Sequence, residues 1–175
     1  MSGKDVRAVI VMGVSGAGKS SVAELLAKNL GSAFVEGDSL HPKANIDKMA
    51  HGIPLTDEDR WPWLDVIGKE IAGLTDQGKS VVATCSSLKR AYRDRLRKAA
   101  GGKLYFVFLK GAEDLLSRRM GERKGHFMPA ALLQSQLATL ESPEGEEGVV
   151  TVDIDASIET IVENARSGLD QIMAQ

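Results

Sequence analysis

Residues 13–20 read GVSGAGKS, and this stretch constrains the fold of the chain more than any other. It directly follows the apolar run Ala8-Val9-Ile10-Val11-Met12 and opens a helix-like stretch over 21–30. Strand, glycine loop, helix is the setting that a phosphate-binding P-loop requires. Gly13, Gly16 and Gly18 let the backbone turn tightly and aim its N–H groups inward. Together with Ser15, Ala17 and Ser21 they make the candidate nucleotide-binding loop, whose donors sit at a helix N-terminus. Lys19 supplies a mobile cation for the β- and γ-phosphates, and Ser20 offers a hydroxyl to Mg²⁺. The competing reading is a glycine-rich turn that merely caps a helix; the strand before it and the helix after it favour the phosphate loop.

Composition narrows the function classes. A chain of 175 residues is enough for one domain, 1–175, with a substantial core. Its net charge of −2 provides no global basic field for nucleic acid or membrane. Cys85 stands alone, which excludes an intrachain disulfide and any multi-cysteine metal cluster. No His/Cys/Asp spacing suggests zinc. No apolar run approaches the ~20 residues of a membrane span. The apolar residues 8–14 run into the glycine loop without a cleavage-like site, so a signal peptide is not expected. A cytoplasmic location is the expectation.

Strand-like runs alternate with amphipathic helical patterns. The strands are expected at 8–12, 33–36, 80–84, 104–109 and 149–154. Helices are expected at 19–30, 42–50, 57–75, 88–99, 113–121, 129–140 and 157–173. The strands are short, almost continuously apolar and rich in Val, which suits a parallel sheet covered on both faces. The alternation implies an α/β doubly wound fold with right-handed crossovers. Residues 142–148, SPEGEEG, read as a solvated acidic connection before the last strand.

In such sheets the ligand lies beyond the carboxyl ends of the strands. The second strand ends Phe34-Val35-Glu36-Gly37-Asp38, and extended geometry would put Glu36 and Asp38 on one face at that crevice. A carboxylate there can accept the proton of an attacking hydroxyl or hold a metal-bound water; alternatively, Asp38 caps the next helix. The third strand, Val81-Val82-Ala83-Thr84, lacks a terminal Asp, so the metal's carboxylate falls to Glu36 or Asp38. His41 is close enough in sequence to Asp38 to reach the same pocket; His51 has no such argument. Residues 90, 93 and 97 are arginines on one helical face, either a site for an anionic substrate or a solvated face. Arg118, Arg119, Arg123 and Lys124 lead into Gly125-His126-Phe127. That pattern fits a lid closing on phosphates, or an exposed helix C-terminus whose dipole favours cations. Trp61 and Trp63 flank Pro62 and read as packing anchors.

Several segments together carry a resemblance. They are GVSGAGKS at 13–20, EGDSLHP at 36–42, NIDKM at 45–49, PLTDEDRWPWL at 54–64, CSSLKRAYRDRLR at 85–97, RRMGERKGHFM at 118–128, SQLATLE at 135–141 and VDID at 152–155. In these the chain resembles the small P-loop gluconokinases, relatives of shikimate and adenylate kinases. Ser87 stands where alanine is more often expected, a minor departure. The resemblance implies a P-loop NTPase fold with a five-stranded parallel sheet, a helical substrate region at about 38–78 and a lid at about 118–130. It implies transfer of phosphate from ATP to the 6-hydroxyl of D-gluconate with Mg²⁺, in a homodimer. It assigns Asp38 as base or metal organiser, Arg123 as a lid arginine, and Arg118 and Asp155 to the adenine side. Arg90 and Arg93 would face the sugar acid, with Lys48 and Arg60 as further cations. Asp57, Asp59 and His41 would be hydroxyl partners, His126 a substrate contact, and Lys89 solvent-facing. The rivals are a kinase of another small metabolite on this fold and a non-catalytic nucleotide-binding protein.

Overall fold

The computed structural model describes residues 6–122 and 130–174, with the side chains of 120–122 and 130–132 excepted. Five parallel strands form one sheet: β1 (Ala8–Met12), β2 (Ala33–Val35), β3 (Val81–Thr84), β4 (Tyr105–Lys110) and β5 (Val149–Asp153). Their spatial order is β2-β3-β1-β4-β5. β1 lies in the middle, pairing with β3 from Ala8↔Val81 and with β4 from Val9↔Tyr105. All five β1 residues are buried, as its unbroken apolar run requires of a strand covered on both faces.

The helices are α1 (Lys19–Leu30), α2 (Lys43–Ala50), α3 (Asp57–Asp76), α4 (Arg90–Ala99), α5 (Glu113–Glu122), α6 (Ala130–Thr139) and α7 (Ile158–Met173). Each matches a helix expected from the sequence to within two residues at either end. α1 buries Val22, Ala23, Leu26 and Ala27, the apolar stripe that lays it on the sheet. α3 begins with a capping box, in which Thr56 accepts from the Asp59 amide while the Asp59 carboxylate accepts from the Thr56 amide. One continuous core joins Val9, Ile10, Leu26, Trp63, Ile67, Phe106 and Leu169.

The expected strand at 33–36 stops at Val35, and Gly37–Leu40 form a short 3₁₀ turn. The cause lies at Gly37. A Cβ there would fall 1.8 Å from the Thr84 carbonyl oxygen, so only glycine permits this close approach to β3. The Gly37 amide donates to Thr84 Oγ1 at 3.0 Å, and its carbonyl accepts from Trp63 Nε1 at 2.8 Å. The chain is pinned there and leaves extended geometry. Glu36 and Asp38 therefore do not share a strand face, as the sequence suggested.

A second correction concerns residues 142–148. Far from a purely solvated connection, this segment seats Glu146 against α4, with 8% of its side chain exposed. Among the described residues, no helix is long and apolar enough to cross a membrane.

Candidate active site

The glycine loop follows the carboxyl end of β1, and Gly16 and Gly18 hold positive φ angles of 85° and 89°. Gly18 hands the chain to α1. Ser15, Gly16, Gly18, Lys19 and Ser20 line a cavity. Gly13 and Ala17 lie buried behind it, where the Ala17 amide closes the turn on the Val14 carbonyl at 3.2 Å. Ser21 is already inside α1 and exposed. Lys19 Nζ donates to the Val14 carbonyl at 3.2 Å, which folds its side chain back over the loop.

Asp38, Met49, Leu55, Arg60 and Trp63 line the same cavity. The structure thus brings Lys19, Ser20, Asp38 and Arg60 to one space. The Asp38 side chain is 63% exposed and open to a ligand.

Glu36 stands at the junction of loop and sheet. Its carboxylate accepts from the Ser20 hydroxyl at 2.5 Å and, in a very short bond, from the Thr84 hydroxyl. Of the two carboxylates that the sequence nominated for the metal, Glu36 is the one bonded to Ser20. A hydroxyl and a carboxylate are hard oxygen donors suited to Mg²⁺, which takes its remaining ligands from water and phosphate.

His41 does not line the cavity, although the sequence placed it among the substrate contacts. It is buried, stacked on Trp63 with ring centroids 3.8 Å apart. Asn45 Nδ2 donates to the Asp59 carbonyl at 2.9 Å, and that acceptor fixes which end of the amide is nitrogen. The same nitrogen lies 3.1 Å from His41 Nδ1, so Nδ1 accepts and Nε2 carries the proton. Nε2 faces Asp38 Oδ1 at 3.9 Å. Burial pulls the His41 pKa down to about 4; nearby Asp38 opposes the shift and Arg60 reinforces it. His41 is therefore neutral near pH 7.

Arg60 donates through one terminal nitrogen to the Leu55 carbonyl and to Tyr92 Oη, both at 2.8 Å. Its Nε and other terminal nitrogen make no hydrogen bond among the described residues. Tyr92 donates onward to Asp57 in a very short bond, and Lys89 Nζ reaches Asp57 at 3.2 Å. The Tyr92 hydroxyl, together with Lys89, lowers the Asp57 pKa, while burial and the hydrogen bond to Asp57 push Tyr92 to about 12. Lys89 thus pairs with Asp57 instead of facing solvent. Lys48 is likewise engaged, 2.7 Å from Asp59 Oδ2. That bond, with those from Thr56, holds the Asp59 pKa down to about 2. Asp57, Asp59 and Lys48 are occupied by protein partners and do not line the cavity.

The structure also corrects the placement of Arg90 and Arg93. Arg93 is fully buried. Its Nε and one terminal nitrogen grip Glu146 at 3.1 and 2.5 Å, and its other terminal nitrogen donates to the Ser87 carbonyl at 2.8 Å. Arg90 is exposed, 3.8 Å from Asp94. It lines a groove with Arg97, Lys103 and Glu146 that shares no residue with the loop cavity. Residues 90, 93 and 97 do share a helical face, and it meets Glu146 and this second groove, not the loop cavity.

Arg118 and Asp155 line one shallow groove with residues 110–112. Arg123 and His126, with most of the expected lid, lie outside the described residues. Sequence reasoning missed Gln136, which meets the glycine loop from α6. Nothing local in SQLATLE signals that contact across 121 residues of chain.

Comparison with known proteins agrees with this geometry. The chain matches the AAA domain family over residues 9–143. It is 44% identical over 161 residues to the thermosensitive gluconokinase of Escherichia coli K12, covering 91% of this chain and 86% of that protein. It is 46% identical over 157 residues to the gluconokinase of Gluconobacter oxydans 621H, covering 90% and 88%. A crystal structure of a gluconokinase from Sinorhizobium meliloti 1021 superimposes with a TM-score of 0.87 at 54% identity, covering 95% of this chain and 93% of that one. A P-loop on a five-stranded parallel sheet, facing a carboxylate and an arginine and matched along nearly its whole length by these relatives, makes this chain a member of the gluconokinase family.

Proposed function

We propose that this protein transfers the terminal phosphoryl group of ATP to the 6-hydroxyl of D-gluconate, giving 6-phosphogluconate and ADP. One observation carries the reading: a single cavity joins the phosphate loop to Asp38 and Arg60. Gluconate is a small anion bearing several hydroxyls. It needs a planar donor for its carboxylate and a base at the reacting hydroxyl.

Asp38 accepts the proton of the 6-hydroxyl as it attacks, and the neutral His41 lies behind it with Nε2 3.9 Å from Oδ1, beyond direct hydrogen-bond distance. Arg60 presents its two open donors to the gluconate carboxylate, a fork that matches that plane better than a lysine point charge. Lys19 and the loop amides bind the phosphates and neutralise charge as the phosphoryl group moves. Ser20 and Glu36, with Asp38 nearby, would hold Mg²⁺, which supplies charge neutralisation at the phosphates when bound. Arg118 and Asp155 frame the adenine side. Arg123 and His126 act from the lid at about 118–130, by resemblance to the family. A single domain with its substrate region at about 38–78, a homodimeric state and a cytoplasmic location belong to the same reading.

The test is direct. Purified protein given ATP, Mg²⁺ and D-gluconate should form 6-phosphogluconate, and Lys19→Ala should abolish transfer while circular dichroism shows an intact fold. If neither gluconate nor a close aldonate accelerates ADP formation, the reading is wrong.

A further inference from the structure

Gln136 lies on α6 and touches the glycine loop in a way that ordinary packing does not require. Its Oε1 accepts from the Ser15 backbone N–H at 2.7 Å and from Ser15 Oγ at 3.0 Å. Two donors saturate the two lone pairs of that oxygen. They also fix the amide, because a backbone N–H can only donate and so must face oxygen, not the NH₂ group. The Nε2 donors of Gln136 make no hydrogen bond among the described residues. Gln136 lines the same cavity as Lys19, Asp38 and Arg60.

One loop amide is thus satisfied by a protein oxygen, and the same cavity-lining side chain keeps its own N–H donors unspent among the described residues. A donor-only group beside a phosphate loop suits an acceptor-only ligand, and phosphoryl oxygens are acceptors. Gln136 lines the one cavity that holds both the phosphate loop and Asp38 with Arg60, where the phosphoryl group passes from nucleotide to acceptor. We infer that Gln136 is a phosphoryl-contacting residue: Ser15 locks its carbonyl, and its Nε2 donates to the terminal phosphate of the bound nucleoside triphosphate. The inference rests on the nucleotide-binding part of the proposed function and is independent of which acceptor is phosphorylated.

Gln136→Glu separates this role from mere capping. Glutamate keeps an oxygen for Ser15 but turns the outward donor into an anionic oxygen. The full-length protein, wild type and variants, is titrated by calorimetry with Mg²⁺ and either ADP or the β,γ-imido analogue of ATP. Wild type should bind both. Gln136→Glu should weaken the triphosphate analogue by about tenfold or more, the scale of one charge-assisted hydrogen bond. It should change ADP by less than about threefold and keep the wild-type melting temperature. Gln136→Ala, which loses cap and donor together, should also weaken the analogue more than ADP. If Gln136→Glu binds the analogue as wild type does, Gln136 only caps the loop and the inference falls. Equal losses for ADP and the analogue overturn it too, since the contact then does not discriminate the terminal phosphate. A wild-type protein that binds neither ligand would instead overturn the nucleotide-binding reading itself.

Discussion

Arg60 and Arg93 sit on the packed helices α3 and α4, and each guanidinium makes a hydrogen bond to a backbone carbonyl. They differ in where their carboxylate comes from. Arg93 has Glu146, held bidentate inside the fold, and is sealed from solvent. Among the described residues Arg60 has no carboxylate partner, and it lines the cavity with two of its nitrogens unbonded. A buried arginine with its acceptor built in is a strut, because removing either partner strands a charge. An arginine with the fork left open is a receptor for a carboxylate that arrives from outside. In the proposed reaction, gluconate does for Arg60 what Glu146 does for Arg93.

The comparison predicts that damage in the cavity and damage in the strut will register in different measurements. The largest expected effect is on rate. Asp38→Asn keeps the shape and removes the base, so kcat and kcat/KM should fall together by ~10²–10⁴-fold. Thermal melting should barely change. A near-normal kcat would reduce Asp38 to a helix cap. In the strut the effect moves to stability. Arg93→Ala leaves the buried Glu146 with only its 3.2 Å contact to Arg97 and should cost about 3–5 kcal/mol in denaturant unfolding. At a temperature where the variant is folded, its KM for gluconate should match wild type; a raised KM with normal stability would invert the comparison.

A smaller effect tests the support behind Asp38. His41 titrates at about 4 in the folded chain and near its ordinary 6.5 when unfolded. Between those values the unfolded state binds more protons, so stability is full above about pH 6.5 and declines as pH falls toward about 4. One such proton corresponds to ~1.4 kcal/mol per pH unit. Unfolding free energies from pH 7 to pH 5 should slope less in His41→Asn than in wild type, and equal slopes would mean that His41 is not buried neutral. The smallest effect belongs to Arg95, whose pair with Asp65 at 2.7 Å is partly exposed. Arg95→Ala should leave the unfolding midpoint almost unchanged, because solvent screens an exposed pair. A loss comparable to that of Arg93→Ala would show that burial is not what separates strut from surface.

Much of the fold was legible because β1, β3 and β4 are continuous apolar runs and because the glycine loop fixes the order strand, loop, helix. What the sequence could not reveal was direction. Spacing of three and four residues put arginines 90, 93 and 97 on a common face, but spacing does not say what that face meets. The partner, Glu146, lies in SPEGEEG, where an acidic residue in a solvated loop and one locked in an ion pair look alike. The Glu36–Asp38 pair was visible as chemistry, yet its geometry turned on Gly37 approaching β3, a contact between segments far apart in sequence. Gln136 reaches Ser15 by the same kind of long-range placement.

The central claim is that Arg60, and neither Arg90 nor Arg93, reads the carboxylate of the substrate. The most direct test compares kcat/KM for gluconate with that for glucitol, its uncharged analogue, in wild type and in Arg60→Ala. The account predicts a strong wild-type preference for gluconate that falls about 10- to 100-fold in the variant, the scale of one lost charge-assisted hydrogen bond, while Arg90→Ala keeps it. A preference that survives in Arg60→Ala would contradict the account.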